Sequence, residues 1–158
     1  VITSLFEADG HVCAIDCRAV LARVVARLKA DGFTPVVACE LEFYLVDRER
    51  GDGQPPRPAR LGGARPTTHG TYGLEELDDA GPFLADLWAA ADAAGLPLET
   101  AISEYAAGQM ELTLKHRADP LRVADDVVLY KRLVKQVARR HGMLATFMAK
   151  PFAEAAGN

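Results

Sequence analysis

Alternating apolar residues between positions 36 and 47 predict a β-strand, and this pattern constrains the fold more than any other feature of the chain. The apolar side chains occupy the odd positions, Val37, Cys39, Leu41, Phe43 and Leu45. Because a strand sends successive side chains to opposite faces, Glu40 and Glu42 share the other face. Two neighbouring carboxylates repel each other unless water surrounds them or a cation lies between them. Solvent exposure and a bound divalent cation both explain the pair at this point.

Composition narrows the class of protein. The chain has 158 residues, 49% of them hydrophobic, which is enough for one compact domain with a core. A net charge of -4 argues against binding to nucleic-acid phosphates, and no apolar run reaches the roughly 20 residues that span a bilayer. The three cysteines have neither metal-finger spacing nor an even framework count, which predicts reduced thiols in a cytoplasmic protein. The N-terminus lacks a start methionine and a signal-peptide layout, so we expect a chain entered midway.

The remaining periodicity predicts an alternation of helices and strands. Helices are expected over residues 18–30, 82–94 and 120–141, and strands over residues 34–46, 96–104, 109–115 and 143–148. The break at residues 106–108 has the length of a hairpin turn, so the two strands that flank it are expected to be antiparallel. The pattern therefore predicts an α+β fold with a largely antiparallel sheet and flanking helices.

The segment from residue 48 to residue 73 differs in kind, since it is rich in glycine, proline and arginine and lacks apolar periodicity. A connection of this length is usually a functional lid or a disordered insert, and we expect a flexible loop. Its arginines are explained by exposure to solvent, although an anionic ligand is the alternative.

Four acids are predicted on strand segments: Glu40, Glu42, Glu104 and Glu111. Glutamate is uncommon in strands, so its recurrence beside apolar rows favours a shared site. Carboxylates without histidine or cysteine partners suit Mg²⁺ or Mn²⁺ rather than zinc. Several acids on one sheet face are typical of two metals that clamp a phosphoryl group. The alternative, that these acids simply face water, stays open on this reasoning alone.

The wording of several separated motifs resembles the glutamine synthetase family. The motifs are Cys39–Leu45, Leu96–Glu99, Ser103–Glu111, Phe147–Phe152 and Gly157-Asn158. The phrasing is most similar to the γ-glutamylpolyamine (γ-glutamylputrescine) synthetase branch. The resemblance implies that residues 1–158 form part of the catalytic domain, with residues 1–15 as the end of the small N-terminal domain. It also implies that ligands contributed by later segments are needed for turnover, so the chain alone is expected to be inactive.

The resemblance also implies roles for individual residues. Glu42, Glu104 and Glu111 match the ligands of one metal site, and Glu40 matches a ligand of a second. Glu104 also matches a catalytic acid that holds the incoming amine. The other matches are Glu99 near the nucleotide, Tyr72 in the amine pocket, Asn158 at the substrate and Gln109 as support for the metal ligands.

The reaction that the resemblance implies joins glutamate to an amine in two steps. ATP phosphorylates the γ-carboxylate of glutamate, and an amine then displaces phosphate from the γ-glutamyl phosphate. A polyamine such as putrescine is favoured as the amine, because Glu104 is followed by Tyr105 where ammonia-using members commonly have valine. The metals implied are Mg²⁺ or Mn²⁺ at two sites, and the assembly implied is a homo-oligomeric ring. Ammonia as the amine and a non-catalytic protein of the same fold are the alternatives.

Overall fold

The structure is a computed structural model that describes residues 2–67 and 70–158. Its helices are α1 (Cys17–Ala30), α2 (Leu74–Asp79), α3 (Gly81–Ala94) and α4 (Pro120–Arg140), and its strands are β1 (Glu40–Asp47), β2 (Leu98–Ser103), β3 (Gln109–Leu114) and β4 (Met143–Thr146). None of the helices in the described part of the chain combines the length and the hydrophobicity of a membrane-spanning segment. The chain divides into two compact units, one from residues 1–39 and 116–128 and one from residues 40–115 and 129–158.

The first unit contains α1 and the first part of α4. Asp16 begins α1 by accepting a hydrogen bond from the backbone N of Ala19 at 3.1 Å, as its position in the sequence predicts. Asp126 on α4 is 1% exposed. Its carboxylate lies 2.8 Å from Nε of Arg122 and 3.5 Å from Nε of Arg117. The buried acid is therefore compensated by two arginines.

The second unit is built on a four-stranded sheet in the order β2-β3-β1-β4. Every neighbouring pair in this sheet is antiparallel, which confirms the predicted fold class. One face carries the apolar residues of β1 and β3, with Phe43 opposite Met110 and Leu41 opposite Leu112. The other face carries Glu42.

Aromatic side chains fill the core on the apolar face. Phe43 is fully buried, and its ring centroid lies 6.4 Å from that of Phe83 on α3 and 5.4 Å from that of Phe147. Tyr130 on α4 lies 6.0 Å from Phe147 in the same way. This packing holds β1 rigidly against the helices, which is what a site on the opposite face requires.

The structure corrects the predicted limits of the first strand. Residues 34–46 were expected to be extended throughout, but β1 begins at Glu40 because its pairing with β3 begins there, opposite Thr113. Val37 instead forms an isolated bridge with Arg117. The polar face of β1 is also less exposed than alternation suggests, since Tyr44 and Val46 are buried under the segment that contains Phe152, Ala155 and Ala156.

Part of the 48–73 loop packs against the edge of this unit, although residues 68 and 69 lie outside the described residues. The backbone N of Ala59 donates to the Leu45 carbonyl at 2.9 Å, and Ala59 is 1% exposed. Pro58 approaches Gly108 so closely that a Cβ there would lie 3.1 Å from the proline ring. Shortly after the loop comes α2, which periodicity did not predict because it is six residues long and mostly acidic.

Candidate metal centre

Three carboxylates converge where β1, β2 and β3 meet. Glu42 on β1 lies directly opposite Glu111 on β3 in the antiparallel ladder. Glu104 follows the last residue of β2 and is held there by a backbone hydrogen bond from its N to the Gln109 carbonyl at 2.9 Å. Pairing in the sheet therefore places on one face three acids that are 69 positions apart in sequence from first to last.

The spacing of these carboxylates suits a single ion. One carboxylate oxygen from each of Glu42, Glu104 and Glu111 lies within 4.8 Å of the other two. Glu111 is 8% exposed, and the other two are half-buried. Oxygens of Mg²⁺ ligands lie about 2.0–2.1 Å from the ion, so three that surround one ion lie a few ångströms apart.

Burial and mutual repulsion raise the pKa values of two carboxyls in the cluster. Burial, reinforced by Glu104, Glu40 and Glu42, raises the pKa of Glu111 to about 7. The pKa of Glu42 is raised as well, mainly by burial and then by Glu104, while a hydrogen bond from Gln109 opposes the shift. A divalent cation would favour the ionised carboxylates. The donor set, three carboxylates, fits Mg²⁺ or Mn²⁺.

The side chain of Gln109 joins the cluster to the end of the chain. Gln109 is 2% exposed. Its Nε2 carries two hydrogens and donates to Glu42 Oε2 at 2.7 Å and to the Gly157 carbonyl at 2.9 Å, and Asn158 Oδ1 is a third acceptor at 3.2 Å. Its Oε1 accepts a hydrogen bond from the backbone N of Ala106 at 3.2 Å.

The structure places the other predicted site residues at different distances from this cluster. Glu40 lies on the same face of β1, opposite Thr113, and contributes to the raised pKa of Glu111 without joining the group of three. Asn158 reaches the cluster through Gln109. Glu99 is exposed near the beginning of β2. The backbone N of Tyr72 donates to the Ser103 carbonyl at 2.9 Å, and Tyr72 is 72% exposed.

Two supporting residues were not predicted from sequence. Tyr44 Oη donates to the Ala156 carbonyl at 2.6 Å, and burial followed by the charge of Glu42 raises the pKa of this tyrosine. Ser103 Oγ donates to the carbonyls of Gly70 at 2.8 Å and Gly73 at 3.1 Å. The only sequence signal was their position, since each lies next to or two residues from a predicted ligand.

Comparison with protein families and curated proteins gives consistent matches. The family described as “Glutamine synthetase, catalytic domain” matches residues 14–158. Gamma-glutamylputrescine synthetase PuuA of Escherichia coli (strain K12) is 37% identical over 100% of this chain and 34% of its own length. A glutamine synthetase of Mycolicibacterium smegmatis is 39% identical over 95% of this chain and 32% of its own length. The chain thus spans about a third of the length of the curated relatives it matches.

Solved structures show the same likeness. A GmaS/ADP complex in its first conformation superposes with a TM-score of 0.79 at 29% sequence identity. The match covers 95% of this chain and 33% of the GmaS chain. A structure described as a novel glutamine synthase homolog has a TM-score of 0.76 at 29% identity over 98% of this chain and 33% of its own. The sheet and its flanking helices are therefore an arrangement that these larger chains share.

Proposed function

The chain belongs to the glutamine synthetase family, and on this premise we propose that the protein containing it is an ATP-dependent ligase that joins glutamate to an amine. The observation that carries the proposal is the cluster of Glu42, Glu104 and Glu111, with oxygens within 4.8 Å of one another and a pKa of about 7 at Glu111. A protein without a metal has no use for this repulsion, which costs stability.

We assign the metal ligands as follows. Glu42, Glu104 and Glu111 hold one Mg²⁺ or Mn²⁺, and Glu40, which lies outside the group of three, contributes to a second. When bound, the ions neutralise phosphoryl charge as the phosphoryl group moves. The short bond from Gln109 to Glu42 and the antiparallel pairing hold the ligands in place before the ion arrives.

The remaining assignments concern substrates. ATP transfers its γ-phosphoryl group to the γ-carboxylate of glutamate, and an amine then displaces phosphate to form the amide. Glu104 attracts the amine in its cationic form and thereby orients it, and Tyr72 lines the amine pocket. Asn158 contacts glutamate, and Glu99 lies near the nucleotide. These four roles follow from the family resemblance. The position of two of the residues supports them, since Glu104 belongs to the carboxylate cluster and Asn158 contacts Gln109, which donates to Glu42.

We propose a polyamine such as putrescine as the acceptor. Support comes from the likeness to gamma-glutamylputrescine synthetase over the whole chain, and from Tyr105, which follows Glu104 and is 63% exposed. Ammonia is the second candidate, favoured by the 39% identity with a glutamine synthetase. The two identities, 37% and 39%, do not separate the acceptors.

The test uses the full-length protein that contains this chain. Phosphate release is measured with glutamate, ATP and Mg²⁺ in the presence of putrescine, isopropylamine or ammonia. We expect release to depend on the amine and to be greatest with putrescine; a greater rate with ammonia would instead favour glutamine synthesis. Release that no amine increases would contradict the ligase proposal and favour a non-catalytic role. We further propose that the 158-residue chain alone does not turn over, and that the whole protein forms a homo-oligomeric ring, which its mass in solution tests.

A further inference from the structure

The Gln109 side chain touches three segments that each carry a residue of the candidate site. Its Nε2 donates to Glu42 on β1 at 2.7 Å and to the Gly157 carbonyl at 2.9 Å. Its Oε1 accepts from Ala106, in the turn that follows Glu104, at 3.2 Å. The side chain therefore connects β1, the β2–β3 turn and the final residues of the chain.

The hydrogen-bonding pattern determines which way the amide of Gln109 points. The backbone N–H of Ala106 requires an acceptor, so the carbonyl oxygen faces the turn. The three atoms around Nε2 are all acceptors, namely Glu42 Oε2, the Gly157 carbonyl and Asn158 Oδ1. The reversed amide would place an oxygen against these three and leave a donor against a donor. Because Gln109 is 2% exposed, water does not compensate for that mismatch.

We infer that Gln109 is a positioning residue that couples the metal site to the Gly157–Asn158 segment. Glu42 is repelled by both Glu104 and Glu40, so its carboxylate needs a donor to stay directed at the shared site. The donor that holds it also holds Gly157 and Asn158. One amide group therefore sets both the position of the Glu42 carboxylate and the order of the terminal segment, by which we mean residues 149–158. The inference rests on the metal-site assignment of the proposed function and extends it to a residue that is not itself a ligand.

The structure offers a matched control on the same strand. Gln109 and Thr113 each lie two residues from Glu111 on the same face of β3. Thr113 Oγ1 contacts Thr100 at 2.8 Å and not the residues of the cluster or the terminal segment. Valine has a side chain of similar volume to threonine but lacks the hydroxyl group. Thr113→Val therefore changes the same face of β3 and leaves the hydrogen bonds of Gln109 intact.

The experiment compares three variants of the chain with the parent. Gln109→Met removes the amide and keeps the length of the side chain. Gln109→Glu keeps an acceptor for Ala106 but puts a like charge beside Glu42, and it decides the question if Gln109→Met does not fold. Thr113→Val is the control. Affinity for Mn²⁺ is measured by calorimetry, and amide hydrogen exchange is followed in residues 149–158 with and without saturating Mn²⁺.

In the parent and in Thr113→Val, we expect Mn²⁺ to slow exchange in residues 149–158, where the N of Asn158 donates to the Ala149 carbonyl at 3.0 Å. In the Gln109 variants, we expect Mn²⁺ to bind about tenfold or more weakly, and saturating Mn²⁺ to give no such protection. Loss of affinity with the protection restored at saturation would show a merely structural role and overturn the coupling. Parent-like affinity and protection in a folded Gln109 variant would overturn the inference and leave the metal site intact. Failure of the parent to bind Mn²⁺ would instead overturn the metal-site assignment.

Discussion

Glu42 and Glu111 face each other directly across the antiparallel β1–β3 pair. Like charges in this position destabilise a sheet, and Glu111 is buried as well. The pKa values of both carboxyls are raised, with burial as the larger cause in each. The sheet thus holds an arrangement that is unfavourable when both acids are ionised and that a bound cation would relieve.

The first prediction concerns metal binding. Glu42→Gln and Glu111→Gln each replace one negatively charged carboxylate of the cluster with a neutral amide. We therefore expect each to weaken Mn²⁺ binding by about tenfold or more in calorimetric titration. Glu99→Gln is the matched control, because Glu99 is an exposed strand glutamate outside the group of three. Equal affinities for the parent and both cluster variants would contradict the site.

The second prediction concerns the stability of the metal-free chain. The folded-state pKa of Glu111 is about 7, above its usual value of 4.5. Between pH 4.5 and pH 7, the folded chain therefore binds more protons than the unfolded chain. Stability contributed by the protonated carboxyl is present at low pH and is lost as the pH rises toward 7. We expect Glu111 to lower the free energy of unfolding by about 1–3 kcal/mol between about pH 5 and about pH 8.

Urea denaturation of the parent and of Glu111→Gln at both pH values isolates this effect from other titrating groups. The variant should lose less stability than the parent as the pH rises, and it should be the more stable of the two at about pH 8. The same proton opposes metal binding, so the affinity of the parent for Mn²⁺ should increase over this pH range. A pH dependence identical in both proteins would show that Glu111 titrates normally.

Residues close in sequence explain which parts of the structure were predictable. Asp16 begins α1. Asp119 caps α4, because its Oδ1 accepts a hydrogen bond from the backbone N of Arg122 at 3.1 Å. These signals act within a few residues of each other, so they are visible in the sequence. The opposite faces of β1 also follow from alternation alone.

The features that sequence reasoning missed depend on partners far along the chain. β1 begins where β3 provides a partner, at Glu40 opposite Thr113. Tyr44 is buried because its hydroxyl meets Ala156, 112 positions away. Gln109 was expected to support the metal ligands, but its contact with Asn158, 49 positions away, has no local signal. Periodicity describes what one segment prefers, whereas these contacts are set by which segments meet.

The third prediction concerns Asp126, whose side chain is 2% exposed between two arginines. Asp126→Ala leaves the guanidinium groups of Arg117 and Arg122 without their shared acid, and these side chains are 33% and 46% exposed. Because both arginines reach water, we expect a loss of about 1–3 kcal/mol rather than the larger cost of a fully buried unpaired charge. Urea denaturation measures it.

Asp125→Ala is the control for this change, since Asp125 pairs with Arg18 and is 23% exposed. A pair of this kind contributes about 0–1 kcal/mol. If the neighbouring variants lose equal stability, burial of Asp126 is not what makes its ion pairs important.

The fourth prediction tests the terminal segment through its backbone. A Cβ at Gly157 would lie 2.6 Å from the Ala149 carbonyl oxygen, a contact that neither backbone can avoid without moving. Gly157→Ala should therefore displace the Gly157 carbonyl from Gln109, to which it is bonded at 2.9 Å. We expect faster amide exchange in residues 149–158 and weaker Mn²⁺ binding.

Gly81→Ala is the control, because nothing lies within 4 Å of a Cβ there, and alanine at the first position of α3 should be neutral or stabilising by about 0.5 kcal/mol. Parent-like exchange and affinity in Gly157→Ala would show that the terminal segment is not held where the structure places it.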